Sequence, residues 1–115
     1  MEDITIVMPA IALRGMSIMP GMIAHFDISR DRSLKAVEES MQADQKIFLV
    51  TQRDVDVEEP MQSDLYEMGI VAEIKQVVKL QNDVVRILID GKSRAKLVGF
   101  TRCEDFLEAE ICTYK

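Results

Sequence analysis

Residues Gly69 to Ala95 read GIVAEIKQVVKLQNDVVRILIDGKSRA, and their spacing decides the fold. Ile70, Ala72, Ile74, Val78 and Leu80 are assigned to one face of an extended segment, with Val71, Glu73, Lys75 and Lys79 on the other. A period of two describes a half-buried strand. Gln81-Asn82-Asp83 then interrupts with residue types that tolerate the left-handed backbone of a tight hairpin turn. Val84 to Asp90 forms the return strand, with Val85, Ile87 and Ile89 on one side. Asp90-Gly91-Lys92 is expected to break it, and the chain to turn again into a third strand from Arg94 to Val98. A long hairpin followed by a third strand implies a curled antiparallel sheet on which the rest of the chain packs.

The remaining sequence bounds what that sheet serves. At 115 residues the chain is a single domain with one core. A net charge of −6 disfavours nucleic acid and anionic membrane as partners, because both reward basic faces. Only 5% of residues are aromatic, which disfavours a small-ligand pocket. Ile4 to His25 carries only Arg14 as a formal charge, but Pro9, Gly15, Pro20 and Gly21 would disrupt a spanning helix. Glu2 and Asp3 stand where a secretory signal has basic residues. The chain reads as cytoplasmic, with no membrane partner.

Ahead of the hairpin, Ile4 to Leu13 is a strand interrupted at Pro9, hence at an edge or bulged. Arg14 to Met22 is a loop with a Pro20-Gly21 turn. Its apolar Met16, Ile18, Met19 and Met22 either fold under into the core or leave the loop exposed and adhesive. Ile23 to Ile28 alternates, with Ala24, Phe26 and Ile28 inward and His25 and Asp27 outward. Ser29 or Asp31 caps a helix that runs to about Ala43, with Leu34, Val37 and Met41 as its apolar stripe. Ile47 to Val50 is a continuous apolar run, expected as a central strand covered on both faces. Arg53 to Glu67 is an acidic surface loop, and Phe106 to Tyr114 a last strand. The sequence stops at Lys115 without a capping element, as at the boundary of a larger chain.

Patterns that suggest catalysis fail on geometry. Gly91-Lys92-Ser93 resembles the end of a phosphate-binding loop, but position 86 holds Arg where the first glycine belongs. Ser93 and Lys96 have the spacing of a serine–lysine pair, which meets on a helix but points to opposite faces of a strand. His25 is the sole histidine, and one His with two distant Cys assembles no zinc site. A two-residue loop at Glu104-Asp105 would set Cys112 opposite Leu97 and leave Cys103 and Cys112 roughly 20 Å apart, so both thiols are expected free. No metal or catalytic residue is assigned.

An ordered set of short motifs resembles the N-terminal domain of Lon, the ATP-dependent protease family. Pro9-Ala10-Ile11-Ala12-Leu13-Arg14 is similar to that family's P-x-x-P-L-R strand, Met19-Pro20-Gly21-Met22 to its F-P-G-M turn, and Arg30 with Ser33 to its helix start. Leu49-Val50-x-Gln52, Asp64-Leu65-Tyr66-x-x-Gly69, Lys79-Leu80 and Gly91-x-x-Arg94-Ala95 follow in family order. Ala12, Gln81-Asn82-Asp83 and Asp90 depart from the pattern at the level of local turns. The resemblance implies a β-rich α+β fold over residues 1–115, a small PUA-like pseudo-barrel of about six antiparallel strands with one α-helix. It implies a non-catalytic domain that recognises unfolded or damaged protein substrates and assists assembly of a Lon-type hexamer. The family's ATP, Mg and Ser-Lys dyad belong to modules that these residues do not contain. The alternatives are a stand-alone domain of this fold binding RNA or a small ligand, or a pure assembly scaffold.

A contact surface follows from strand parity. Leu88 shares its face with Arg86 and Asp90, opposite Val85, Ile87 and Ile89, and so points outward. Leu13 ends the first strand, His25 faces out of the second, and Met19 and Met22 lie in the loop between them. Leu13, Met19, Met22, His25 and Leu88 are the candidate substrate contacts, unless the acidic loop or a further C-terminal segment covers Leu88.

Overall fold

The computed structural model describes residues 4–13, 18–29, 31–53, 56, 65–82, 84–102 and 106–113. The elements are β1 (Ile4–Leu13), β2 (Ile23–Ile28), α1 (Asp31–Gln42), β3 (Lys46–Thr51), β4 (Met68–Lys79), β5 (Val85–Arg102) and β6 (Leu107–Thr113). Six strands and one helix agree with the sequence reading, and the sheet order is β2-β5-β4-β3-β1-β6 with β5 also pairing β6. The extra pairing closes β1, β3, β4, β5 and β6 into a ring and leaves β2 attached to β5 alone. One pair departs from the antiparallel expectation. β1 and β3 run parallel, because the chain returns to β3 through α1, which packs against both strands. Pro9 lies in the part of β1 that pairs β6 alone, the edge setting its missing N–H requires.

Two apolar clusters explain why Ala10 to Leu13 of β1, Ile47 to Val50 of β3 and Ile70 to Ala72 of β4 are buried on both faces. Ile11, Leu13, Ile47, Leu49, Ile70, Ala72, Ile74, Ile87 and Ile89 pack with Ala36 and Val37 of α1. The opposite faces contribute Ala10, Ala12, Phe48, Val50 and Val71, which pack with Ala95, Leu97, Leu107, Ala109 and Ile111 inside the closed ring. The strand at Ile47 to Val50 is therefore central and fully buried, as expected. α1 meets the sheet through Ser33, Ala36, Val37 and Ser40, while Met41 is exposed. Of the predicted Leu34–Val37–Met41 stripe, Leu34 and Val37 pack against the core as expected, and Met41, in the last turn of the helix, does not.

β5 crosses from one cluster to the other, and Gly91 does not end it: the strand runs unbroken from Val85 to Arg102. Ala72 pairs Gly91 and Val71 pairs Ser93, so Lys92 is an extra residue that bends the strand. A second bulge places Lys75 outside the ladder between Ile74↔Ile89 and Gln76↔Leu88. One extra residue reverses side-chain parity beyond it. Val78 thus lies opposite Arg86 on the exposed side, and Leu80 is also exposed, contrary to the single face assigned to them with Ile70. The turn reading holds at Asn82, whose φ is 62°, while Asp83 lies outside the described residues.

The last hairpin slips too. Cys112 pairs with Lys96 and not Leu97, because irregularities between Leu97/Gly99 and Phe100/Arg102 shift the register. Cys112 is free. Cys103 and the Glu104-Asp105 loop lie outside the described residues, as does most of the acidic loop. At the ends of that loop Arg53 donates Nε to the Leu65 carbonyl at 3.0 Å and lies 4.9 Å from the Tyr66 ring centre.

Candidate functional site

The bulge at Lys75 and the attachment of β2 produce an open three-stranded face. His25 pairs Leu88, which pairs Gln76; Asp27 pairs Arg86, which pairs Val78. These rows line a shallow depression of about 270 Å³, bounded by His25, Gln76, Val78, Arg86 and Leu88. Leu88 is half-buried at its floor, and the other four are exposed. Behind it, Ile87 and Ile89 are locked into the core, so the face is rigidly backed.

Charges on this face cancel locally. Arg86 donates Nε and Nη2 to the two carboxylate oxygens of Asp27 at 2.7 and 3.2 Å. That hydrogen bond, aided by the charge, lowers the Asp27 pKa below the ordinary carboxylate value. Lys92 lies 2.9 Å from Asp90, which raises the lysine pKa, and Lys75 bonds Glu73, which lowers the carboxylate's. The face presents apolar side chains among neutralised ion pairs.

A latched turn adjoins it. Met22 donates its N–H to the Met19 carbonyl at 3.0 Å, with Pro20 and Gly21 at the two central positions. Gly21 has φ 81°, as the third residue of a type II turn requires. Gly21 N–H bonds the Gly91 carbonyl at 2.8 Å, and Gly91 N–H bonds the Met22 carbonyl at 2.8 Å. The loop resolves its two readings by dividing: Ile18 is buried, whereas Met19 and Met22 are exposed. Arg14 to Ser17 lie outside the described residues.

Of the five candidate contacts, His25 and Leu88 share the depression, and Met19 and Met22 flank the start of the same strand. Leu13 is a correction. It is 4% exposed and packs in the helix-covered cluster, because both faces of β1 are covered there. Sequence reasoning missed Gln76 and Val78, whose place depends on a bulge, and it put Arg86 on the outward face of Leu88 without naming it a contact. The one signal was the loss of strict alternation across Lys75-Gln76-Val77-Val78. Ser93 and Lys96 both lie on β5, in no helix. Among the described residues no group of three His, Cys, Asp or Glu side chains is placed to hold a metal, and no helix is long and apolar enough to cross a membrane.

A closed β ring with one appended edge strand and one covering helix defines a small pseudo-barrel domain. Residues 7–115 match the ATP-dependent protease La (LON) substrate-binding domain, and the chain belongs to that family. It is 45% identical over 109 residues to Lon protease of Clostridium acetobutylicum, covering 95% of this chain and 14% of that protein. Against Lon protease 1 of Bacillus subtilis it is 36% identical over 110 residues, again covering 14% of the relative. It therefore spans about one-seventh of those proteins' length. The N-terminal domain of a Mycobacterium avium complex Lon protease shares the fold, with TM-score 0.75 and 14% identity over 95% of this chain and 55% of that one. A Lon N-terminal domain protein from Xanthomonas campestris does so with TM-score 0.73 and 13% identity, covering 96% and 60% respectively.

Proposed function

We propose that the chain recognises unfolded or damaged protein segments for a Lon-type ATP-dependent protease in the cytoplasm. The observation that carries this reading is the family match over residues 7–115, whose description is a substrate-binding domain. The open β2–β5–β4 face supports it chemically, since Leu88 and Val78 lie among paired charges, with Met19, Met22 and Ile23 alongside. In this reading ATP, Mg and peptide-bond cleavage belong to other modules of the protease, and the domain also assists oligomer assembly. Burying three or four such side chains yields roughly 5–9 kcal/mol gross, most of it offset by association and ordering. Affinity should then fall around tens of micromolar to millimolar, which lets the domain sample and release many chains.

Titration of the isotope-labelled chain with a permanently unfolded, reduced and alkylated protein tests this by NMR. Shift changes are expected at His25, Leu88, Val78 and Met22, and Leu88→Glu should weaken binding while the domain stays folded. Changes that avoid this face, with affinity untouched by Leu88→Glu, would remove it as the site.

A further inference from the structure

We infer that β2 captures its substrate as an added β-strand, pairing through the backbone with an extended, uncharged apolar segment of an unfolded chain. The inference rests on the substrate-recognition reading above and specifies its chemistry. β2 pairs β5 on one side only, and among the described residues nothing pairs with its other edge. The direction of its backbone groups follows from two contacts at opposite ends of the β5 segment that pairs β2. Gly91 donates to the Met22 carbonyl, so Gly91 faces β2. Leu80 donates to the Val84 carbonyl and Val84 to the Gln81 carbonyl, so Val84 faces β4. Alternation along β5 then turns Val85, Ile87 and Ile89 toward β2 and Arg86, Leu88 and Asp90 toward β4.

The β2 partners of the first set, Ile28, Phe26 and Ala24, spend their N–H and C=O groups on β5. Ile23, His25 and Asp27 turn theirs to the open edge, about six groups that no described residue pairs, along a strand roughly 20 Å long.

An edge of this kind is a template for a further strand. Protected edges usually carry Lys, Pro or a bulge, and Ile23–Ile28 has none of these. Its one acidic residue, Asp27, is tied back to Arg86. Ile23 is 67% exposed, and Ala24 and Phe26 are half-buried, so an added strand would cover apolar surface on both sides of the sheet. The ion pairs Asp27–Arg86, Asp90–Lys92 and Glu73–Lys75 cancel charge across the adjoining face, so the complementary occupant is neutral. An unfolded chain supplies what the edge lacks: free backbone groups and alternating side chains. A second copy of this chain is the competing occupant.

The probe is an end-capped hexapeptide of alternating Val and Thr, compared with versions N-methylated at the odd or the even residues. Hydrogen exchange at the amides of Ile23, His25 and Asp27 is followed in the labelled chain. One methylation register should weaken binding by about tenfold or more, since it removes hydrogen bonds on one edge only. Unmodified peptide should slow exchange at those three amides. His25→Pro, which deletes one outward N–H, should weaken binding several-fold more than His25→Ala, which removes the same side chain but keeps the N–H. The peptide comparison stands even if the proline variant fails to fold. If both methylated peptides bind equally well while shifts still map to Leu88 and Val78, strand addition is wrong and the recognition reading survives. If neither the peptides nor unfolded protein bind, both fail. Protection of the same amides by concentration-dependent dimerisation alone assigns the edge to a second copy and also overturns the proposal.

Discussion

At the scale of single residues, the least expected work falls to Gly91. The sequence marks it as a turn, yet it sits inside a strand, and its lack of a side chain makes room for another segment. A Cβ there would lie 2.5 Å from the Met19 carbonyl oxygen and 3.3 Å from an Ile18 methyl. The Met19–Met22 turn therefore closes onto β5 only because position 91 is empty. Gly91→Ala should cost about 1–3 kcal/mol in urea unfolding, with faster hydrogen exchange at the Gly21 amide as the turn lifts away. Unchanged exchange at that amide would show that the latch is not made in solution. Gly21 has nothing within 4 Å of an added Cβ, so its demand is conformational, and Gly21→Ala should cost about 1–2 kcal/mol through the left-handed backbone alone. Leu13 is the opposite lesson. Its parity was legible, but parity alone does not tell an outside from a second inside, and both faces of β1 are buried from Met8 to Leu13 apart from half-buried Pro9.

At the scale of elements, strands and helix were legible because hydrophobic period and turn chemistry are local properties. The bulges at Lys75 and Lys92 were not, since each is a register change between two strands, and the lapse of alternation from Lys75 to Val78 does not say which way the register moves. They carry the site: without the parity change after Lys75, Val78 would point into the core and the depression would lose a wall. β2, a six-residue strand, is held by its ladder to β5 and by the Asp27–Arg86 pair across it. The folded-state pKa of Asp27 is lowered from 3.8, so the pair's stabilisation is fully present above that value. It is lost as pH falls through the lower folded-state value. Carboxyl-carbon NMR of Asp27 should give a midpoint below 3.8, moving up toward that value in Arg86→Gln. A midpoint that ignores the substitution would show that the two side chains do not pair in solution.

At the scale of the whole molecule, the chain is elongated, 46 × 27 × 24 Å, and carries a net charge of −6. The fold class was legible because nearly every element announces itself and the motif order ties them together. The topology was less so, because ring closure and the parallel β1–β3 pair are long-range choices. The candidate site was legible only as outward-facing residues, and their assembly needed the register of three strands. Overall charge and the charge of this face are also different quantities, and the difference can be measured. If apolar and backbone contacts carry recognition, salt has little to screen, because Arg86, Lys92 and Lys75 are matched by carboxylates within the face. Raising NaCl from about 0.05 to about 0.5 M shortens the screening length from roughly 14 to 4 Å. Affinity for the neutral, end-capped peptide should change by less than about twofold, with any change toward tighter binding as salt strengthens apolar burial. A surface that relied on phosphate or other charged partners would instead lose orders of magnitude over the same range. Fluorescence anisotropy of the labelled peptide at both salt concentrations is sufficient. A tenfold loss at high salt would mean that the ion pairs open to serve the ligand, and that the face reads charge and not apolar chain.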